Sequence, residues 1–257
     1  MGIVNLTPDS FYDGGSAGSI AEILKKAEKM LTEGAAILDL GAASSRPGAE
    51  EVSTELELTR LIPALDAIRK EFPDTLISID TYRAKVAKEA HSGGADIIND
   101  ISGGEADADM IPTVGKLSMP YILMHMQGLP SNMQKEPHYV NIIKELQYYF
   151  SSRIHAAHLA GISDIIIDPG FGFGKTVEHN YELLTHMDRF EISGCPILAG
   201  VSRKSMINKV LNTTPETALN GTTAANMLAL SHGADILRVH DVKEARQAIS
   251  IFLAGKS

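Results

Sequence analysis

The chain has 257 residues, of which 44% are hydrophobic and 21% are charged, and these proportions exclude a low-complexity or disordered protein. Its 23 Lys and Arg residues stand against 32 Asp and Glu residues, so the net charge at pH 7 is −9. Because such a charge repels polyanions, we expect neither nucleic acid nor a membrane surface as a partner, and any basic site must be local.

The chain length and the cysteine content bear on domain count and location. About 250 residues are typical of one closed α/β barrel, which favours a single domain over residues 1–257. The one cysteine, Cys195, cannot form an internal disulfide. The sequence shows no signal peptide and no apolar span of about 20 residues, so we expect a cytoplasmic protein. The chain enters an apolar run directly at Gly2, and we expect that a short upstream segment is missing.

Eight short apolar runs predict eight strands. In chain order they lie at residues 3–4, 34–38, 76–79, 94–98, 121–124, 161–167, 196–199 and 233–237. Four of them share one sequence pattern: a glycine ends a predicted helix, an apolar run follows, and a polar residue ends the run. Apolar residues recur at helical spacing between the strands, as at residues 20–31, 55–72, 83–91, 140–159 and 217–231. Ser19, three residues before Glu22, and Thr214, before Pro215, are predicted to start two of these helices.

This alternation of strands and helices implies parallel strands joined by helical crossovers. The strands are continuously apolar, which means that both faces of the sheet are covered. A closed barrel and an open doubly wound sheet both satisfy that requirement. The chain length and the count of eight strands favour the barrel, so the predicted fold class is α/β, a (β/α)8 TIM barrel in a single domain.

A polar residue ends or follows each predicted strand. In a parallel barrel the carboxyl ends of all strands face one mouth, where side chains that are distant in sequence converge. Any one of these residues could instead cap the next helix or form a local turn. Their occurrence at all eight ends favours a functional site formed by Asn5, Asp39, Asp80, Asn99, His125, Asp168, Ser202 and Arg238.

The loop after the sixth predicted strand, residues 168–176, is rich in glycine and reads Asp-Pro-Gly-Phe-Gly-Phe-Gly-Lys-Thr. A Walker A loop needs glycine where Pro169 stands, and a dinucleotide fingerprint needs its third glycine where Lys175 stands, so neither motif is present. The glycines permit close backbone approach and would place Phe171 and Phe173 beside the ligand of Asp168. A merely flexible turn is the alternative interpretation.

Three basic clusters in an acidic chain indicate a bound polyanion. Residues 202–205, Ser-Arg-Lys-Ser, follow the seventh predicted strand and open a helix, where backbone N–H groups favour anions. Arg238 and His240 end the eighth strand on the same side, and Arg46 lies in the loop after the second. Ordinary surface exposure of Arg46 and Lys204 is the alternative.

Asn5 is a candidate ligand for Mg²⁺, which takes one or two protein oxygens and completes its shell with waters and phosphate oxygens. The metal would therefore arrive with its phosphates. His155 and His158 share a predicted helix, but without a third ligand nearby they indicate a solvated helix face rather than a zinc site. Met124 and Met126 are expected to pack in the core or in a pocket wall.

Taken together, these segments resemble the dihydropteroate synthase family of pterin-binding TIM barrels over nearly the whole chain. Members of this family join 6-hydroxymethyl-7,8-dihydropterin pyrophosphate to 4-aminobenzoate in folate biosynthesis and are targets of sulfonamides. The segments that carry the resemblance are residues 5–11, 45–48, 79–81, 99–101, 124–128, 168–175, 202–205 and 238–242.

The resemblance implies roles for individual residues and an Mg²⁺-dependent homodimer. The catalytic residues would be Lys204, Arg238, Asp168 and Asp80. The pterin would contact Asp80, Asn99, Asp168, Lys204 and Arg238, the last by stacking on the ring. The pyrophosphate would lie near Asn5, Arg46, Arg238 and His240, with the metal on Asn5. The 4-aminobenzoate would lie against Ser45, Pro47, Phe173, Lys204 and Ser205.

The chemistry of these side chains suits a pterin. The carboxylate of Asp168 can accept two adjacent N–H groups, and Lys204 can donate to the neighbouring carbonyl and ring nitrogen. Arg238 can lie on a π face and still donate to a phosphate. Loss of pyrophosphate develops positive charge on carbon and negative charge on the leaving group, so we expect electrostatic stabilisation and positioning without a covalent nucleophile.

Two departures from the family pattern leave details open. Ala43 and Ser45 stand where the family usually has Glu and Thr, and we expect that the family's short segment before the first strand is missing from this sequence. Three other functions compete with a synthase: a pterin-binding methyltransferase with little need of a diphosphate cluster, an aldolase with a Schiff base on Lys204, and a pterin-binding barrel without activity. Residues 6–18 and 42–51 are predicted to be lids.

Overall fold

The computed structural model describes residues 1–6, 17–43, 52–128, 133 and 137–256. Each predicted apolar run overlaps a strand, and each strand is parallel to its neighbours. The strands are β1 (Gly2–Asn5), β2 (Ile37–Gly41), β3 (Leu76–Asp80), β4 (Ile97–Asp100), β5 (Tyr121–Met124), β6 (Ile165–Asp168), β7 (Leu198–Ala199) and β8 (Ile236–Leu237).

The strands pair in chain order and form a closed ring. β1 to β6 form one six-stranded sheet, and β7 pairs with β8. Two parallel bridges join these sheets, one between Ile167 and Ile197 and one between Gly2 and Val239. Backbone hydrogen bonds from Ile3 N to Val239 O (2.9 Å) and from Val239 N to Met1 O (3.0 Å) complete the circuit. The predicted (β/α)8 barrel is therefore confirmed, and the open doubly wound sheet is wrong.

Helices cover the outside of the barrel and connect consecutive strands. Within the described residues, none of them is both long and apolar enough to cross a membrane. The helices are α1 (Ala17–Thr32), α2 (Thr54–Glu71), α3 (Ala84–Ser92), α4 (Met110–Leu117), α5 (Ile142–Leu159), α6 (Val177–Thr185), α7 (Ser205–Leu211), α8 (Leu219–Ser231) and α9 (Val242–Ala254). In the part of the chain that the structure describes, two 3₁₀ helices, Met187–Ser193 and Pro215–Thr217, accompany them.

Side-chain caps explain where several helices begin. Ser53 accepts a hydrogen bond from Leu56 N (3.2 Å) at the start of α2, and Asn141 accepts one from Lys144 N (2.9 Å) at the start of α5. Thr214 and Pro215 start a 3₁₀ helix with a capping box, as the sequence indicated, although α8 begins later. The prediction that Ser19 starts a helix was wrong, because α1 already begins at Ala17.

Apolar side chains form two separate layers. The larger cluster includes Val4, Leu38 and Ile77, whose side chains face the surrounding helices. A smaller apolar cluster lies inside the ring. It contains Met1 and one residue from each of six strands, Ile37, Ile97, Ile122, Ile166, Leu198 and Ile236. Since side chains on a strand alternate between faces, the residues two positions further on also point into the ring, nearer the carboxyl ends.

Candidate active site

Four of the inward-facing positions just beyond the smaller apolar cluster are polar. Asp39 follows Ile37 by two residues, Asn99 follows Ile97, Asp168 follows Ile166 and Arg238 follows Ile236. Asn5, Gly41 and Asp80 occupy neighbouring register positions on β1 to β3, and Asp80 is in register with Asn99 on β4. Strand alternation thus produces an apolar floor and a polar mouth at the carboxyl ends, as predicted for a barrel site.

Arg238 lies at the centre of this mouth between two carboxylates. Its Nε donates to Asp39 Oδ2 (2.6 Å) and its Nη2 donates to Asp80 Oδ2 (2.7 Å). Asn99 Nδ2 donates to the same Asp39 oxygen (3.2 Å). Burial alone would lower the pKa of Arg238, but the charges of Asp39 and Asp80 outweigh it and raise that pKa above its usual range. The network fixes the plane of the guanidinium.

Burial shifts the pKa values of Asp80, Asp168 and Lys204 in the direction that favours their neutral forms. The pKa of Asp80 is raised to about 7 by burial, against the opposing charge of Arg238. Burial also raises the pKa of Asp168, against Lys204. The pKa of Lys204 is lowered to about 8, again by burial, with Asp168 opposing the shift. Asp80 and Lys204 therefore change charge near neutral pH, which is typical of groups in a functional site.

Asp168 and Lys204 lie together beside Gly200. A methyl group at Gly200 would be 3.7 Å from Lys204 Nζ and 3.8 Å from Asp168 Oδ2. Asp168 Oδ1 accepts a hydrogen bond from Gly170 N (2.7 Å), which leaves its other oxygen facing the mouth. Lys204 Nζ donates to the carbonyl of Phe171 and lies 4.8 Å from the centre of the Phe173 ring.

The glycine-rich loop takes a fixed path rather than a flexible one. Gly170 and Gly174 have φ values of +71° and +61°, in the region that favours glycine. A Cβ at Gly170 would lie 1.9 Å from His125 O, and one at Gly174 would lie 2.4 Å from Gln127 O. These glycines let the loop pack directly on the backbone after β5, which favours a functional loop over the flexible-turn interpretation.

His125 and Lys175 form a buried pair beneath this loop. Lys175 Nζ lies 3.0 Å from His125 Nδ1, and burial lowers the pKa of Lys175 to about 7. Burial, with the charge of Lys175, holds the pKa of His125 far below its usual range. His125 was predicted to face the ligand with the other strand-end residues, and its ring instead packs against Tyr149, with ring centres 4.8 Å apart.

The segment after β7 supplies fewer free cations than its sequence indicated. Arg203 forms a two-pronged ion pair with Asp241 (2.9 and 2.8 Å). Ser202 Oγ lies 2.9 Å from His240 Nδ1, and burial, then the charge of Arg238, lowers the pKa of His240 to about 4. His240 is therefore neutral at pH 7 and acts as a hydrogen-bonding group. Ser205 is exposed at the first residue of α7.

Several predicted site residues lie outside the described residues, namely Ser45, Arg46 and Pro47, and so does most of each predicted lid. Asn5 lies at the mouth, half-buried. Within the described part of the chain, no group of three or more His, Cys, Asp or Glu side chains could hold a metal ion. His155 and His158 are exposed on α5, in line with the solvated-face interpretation.

Sequence reasoning placed Asp39 at the mouth but gave it no function. Asp39 is not at the end of its strand, since β2 continues to Gly41. Its side chain is fully buried and orients both Arg238 and Asn99. An aspartate inside an apolar strand two residues after an inward-facing isoleucine was the available signal, because a buried carboxylate needs a cationic partner.

The arrangement defines a type of site. A planar guanidinium held edge-on by two carboxylates presents its faces to a flat ring, and Asp168 with Lys204 offers an acceptor and a donor to the edge of such a ring. The fold and the mouth therefore describe a (β/α)8 enzyme for a flat, polar heterocycle.

Comparisons with known proteins identify that heterocycle's class. A family model described as pterin binding enzyme matches residues 1–240. Dihydropteroate synthase of Escherichia coli K12 is 44% identical over 259 residues, with 100% of this chain and 91% of the relative covered. Dihydropteroate synthase of Synechocystis is 43% identical over 254 residues, with 98% and 88% covered.

Solved structures agree with these relatives. The dihydropteroate synthase of Yersinia pestis in complex with a sulfonamide drug has a TM-score of 0.94 at 41% identity, with 100% of this chain and 93% of that one covered. The Xanthomonas albilineans dihydropteroate synthase with 4-aminobenzoic acid has a TM-score of 0.92 at 38% identity, with 100% and 92% covered. The chain is thus a pterin-binding enzyme of the (β/α)8 class. Within that class, it belongs to the dihydropteroate synthase family of transferases.

Proposed function

We propose that this chain condenses 6-hydroxymethyl-7,8-dihydropterin pyrophosphate with 4-aminobenzoate, giving 7,8-dihydropteroate and pyrophosphate. The observation that carries the proposal is the convergence of Arg238, Asp39 and Asp80 with Asp168 and Lys204 at one mouth. In the reaction, the bond between the pterin methylene carbon and the pyrophosphate oxygen breaks. The amine nitrogen of 4-aminobenzoate bonds to that carbon and releases a proton to solvent.

In this proposal Asp80, Asn99, Asp168, Lys204 and Arg238 bind the pterin. The free oxygen of Asp168 accepts from the ring amino group and the adjacent N–H, and Lys204 donates to the carbonyl. The Nε and Nη2 of Arg238 are already engaged, so its remaining N–H groups and its face are the parts available to the substrate. Burial of these charges strengthens each contact, because the protein screens them less than water does.

The leaving pyrophosphate would bind near Asn5, Arg46, Arg238 and His240. Arg238 links the two ends of the reaction, because it contacts the ring and can donate to the phosphate whose charge increases. The neutral imidazole of His240 contributes a hydrogen bond rather than a charge. Asp168, Lys204, Arg238 and Asp80 are the proposed catalytic residues.

Asn5 fits Mg²⁺ as one neutral oxygen ligand in a shell that phosphate oxygens and waters complete. Asn5 is half-buried at the mouth, and among the described residues no group of three or more His, Cys, Asp or Glu side chains could hold a metal ion, so the proposed Mg²⁺ would arrive with its diphosphate. The chemistry that Mg²⁺ supplies when bound is neutralisation of charge on the leaving group.

The 4-aminobenzoate would lie against Phe173 and the stem of Lys204, with its carboxylate towards Ser205 and with Ser45 and Pro47 closing the other side. The contact between Lys204 Nζ and the Phe173 ring supports this placement, because it forms one wall with a flat apolar face and a cation. Sulfonamides would compete for the same wall.

Product formation from the two substrates tests the proposal. We expect dihydropteroate in a purified reaction with Mg²⁺, and none when the pterin carries a hydroxyl in place of its diphosphate. Dihydropteroate in the first reaction excludes a methyltransferase, which does not join the two substrates, and its absence in the second shows that the diphosphate is the leaving group. Absence of dihydropteroate in the complete reaction would contradict the proposal.

The assembly and the location of the protein are also proposals. A homodimer is the expected state, and exposed apolar side chains on the adjacent helices α7 and α8, Val210, Leu211 and Leu228, are compatible with a subunit contact. Sedimentation of the purified protein tests it, since a mass of one chain at micromolar concentration would contradict a dimer. A cytoplasmic location follows from the lone cysteine and is tested by cell fractionation.

A further inference from the structure

Lys175 is a buried cation to which the proposed function assigns no role. Only 3% of its surface is exposed, although lysine is rarely buried without partners. It is the last residue of the glycine-rich loop before the cap of α6 at Thr176. An ammonium group in such a place must have its hydrogen-bonding capacity satisfied by the protein.

The ammonium of Lys175 has three acceptors within hydrogen-bonding distance. They are His125 Nδ1 (3.0 Å), His125 O (3.3 Å) and Phe173 O (3.0 Å). An ammonium carries three N–H groups, so the match is complete. Two acceptors belong to the residue after β5 and the third belongs to the loop after β6. Lys175 therefore links the two loops at the mouth.

The backbone of the glycine-rich loop packs closely around the contact between Lys175 and His125. The close approach of Gly170 and Gly174 to the backbone of residues 125–127 holds the loop against β5, and Tyr139 Oη donates to Gly174 O (2.9 Å). Lys175 donates a hydrogen bond to the carbonyl of Phe173. The ring of Phe173 contacts Lys204, whose Nζ lies 4.8 Å from the ring centre.

We propose that Lys175 is a positioning residue for Phe173. Through the Phe173 ring it sets the affinity for the aromatic amine, which would lie against Phe173 and the stem of Lys204. The inference rests on the proposed function, which places 4-aminobenzoate on that wall. Lys175 does not itself touch substrate. Without the ammonium of Lys175, the carbonyl of Phe173 loses one of its hydrogen bonds. The Phe173 ring then moves away from Lys204 Nζ.

The test separates the two substrates kinetically. For Lys175→Met, which keeps the apolar stem and removes the donors, we expect the KM for 4-aminobenzoate to rise about tenfold, as loss of hydrogen bonds to a charged group implies. We expect the KM for the pterin pyrophosphate and kcat to change less than about twofold to threefold. Lys29→Met, which removes an exposed cation on α1, is the matched control and should leave all three constants unchanged.

A double-mutant cycle distinguishes positioning from general loosening. If Lys175 acts through Phe173, adding Lys175→Met to Phe173→Ala should raise the KM for 4-aminobenzoate no further than Phe173→Ala does alone. Multiplication of the two effects would overturn the proposal, and so would an equal rise in both KM values for Lys175→Met. Failure of the wild-type enzyme to make product would instead sink the proposed function.

A measurement on the wild-type protein covers the case in which Lys175→Met does not fold. With the ammonium donating to Nδ1, His125 must carry its proton on Nε2. We expect ¹⁵N NMR at about pH 5.5, below the pKa of about 7 of Lys175, to show an unprotonated Nδ1 that accepts a hydrogen bond. A cationic ring or a proton on Nδ1 would refute the link between Lys175 and His125.

Discussion

Asp39 shows how a residue that need not touch the substrate can determine a binding mouth. Its buried carboxylate accepts from both Arg238 Nε and Asn99 Nδ2, and these partners come from opposite parts of the chain. A buried carboxylate without a cation would be costly, and a buried guanidinium with only one carboxylate would be free to rotate. The geometry of the proposed pterin site depends on this contact.

Substitution of Asp39 by Asn should therefore impair the enzyme more than its similar shape suggests. We expect kcat/KM for the pterin pyrophosphate to fall about 10- to 100-fold, because one of the two charges that hold Arg238 is lost. Steady-state kinetics measures this effect. Asp96→Asn is the matched control, since Asp96 accepts from Arg69 Nη2 (2.5 Å) and Ile77 N (2.7 Å) away from the mouth. Equal losses in the two variants would contradict the assigned role.

The lowered pKa of Lys204 predicts a pH dependence on the alkaline side. Lys204 is charged below its pKa of about 8 and loses its proton above it, so kcat/KM should decline as the pH rises through about 8. Lys175 also has a lowered pKa, about 7, so a variant must show which lysine causes the decline in kcat/KM. In Lys204→Arg, whose guanidinium stays charged, the remaining activity should lack this decline near pH 8. An unchanged profile would assign the decline to another group.

At the scale of elements, the loop after β6 depends on glycine for its path. Gly170 combines a positive φ of +71° with a backbone oxygen 1.9 Å from where a Cβ would stand, whereas Gly194 has a φ of +69° and no atom within 4 Å of that position. The two glycines share a backbone conformation and differ in their surroundings. This pair separates conformational strain from steric exclusion.

Gly170→Ala should lose more stability than Gly194→Ala. For Gly194→Ala we expect a loss of about 1 to 2 kcal/mol in the free energy of unfolding, the cost of the left-handed conformation, with normal activity. For Gly170→Ala we expect a loss above about 3 kcal/mol together with a large fall in kcat/KM, because the loop must move off the β5 backbone. Urea unfolding and steady-state kinetics measure both. Similar losses in the two variants would contradict the steric argument.

At the same scale, the elements differ in how well the sequence predicted them. Most strand ends were predicted to within two residues, because a polar residue after an apolar run marks the same edge of every parallel strand. The strand β2 instead continues two residues past Asp39 to Gly41. The start of α1 was misplaced, because a Ser with Glu three residues later also occurs inside helices, and local spacing cannot show where the first turn begins. The strands β7 and β8 are only two residues long, since their pairing continues as single bridges.

At the scale of the whole molecule, the barrel closes through contacts between residues 1–3 and residue 239, and between residues 196–197 and residue 167. Both closures join elements of a ring in which every strand has two neighbours. Partial unfolding of one strand would expose the apolar cluster inside the ring and break pairing on both sides. The molecule should therefore lose its structure as a unit.

We expect urea unfolding to follow one transition, with coincident curves from far-UV circular dichroism and from tyrosine fluorescence, since the chain has 7 Tyr and no Trp. This result would support the prediction of a single domain over residues 1–257. Two transitions, or curves that separate, would show that part of the barrel unfolds independently.

The amino-acid sequence by itself predicted the order of the elements, the parallel barrel and most of the described residues at its mouth, because apolar period and strand-end polarity are local properties. It also contained the segments by which the family is recognised. It did not predict that His125 packs away from the mouth against Tyr149. Tertiary structure alone decided the pairing among those residues: Arg238 with Asp39 and Asp80, Lys175 with His125, and Ser202 with His240. Their protonation follows from the same source, since burial and neighbouring charge depend on which distant strands meet around the ring.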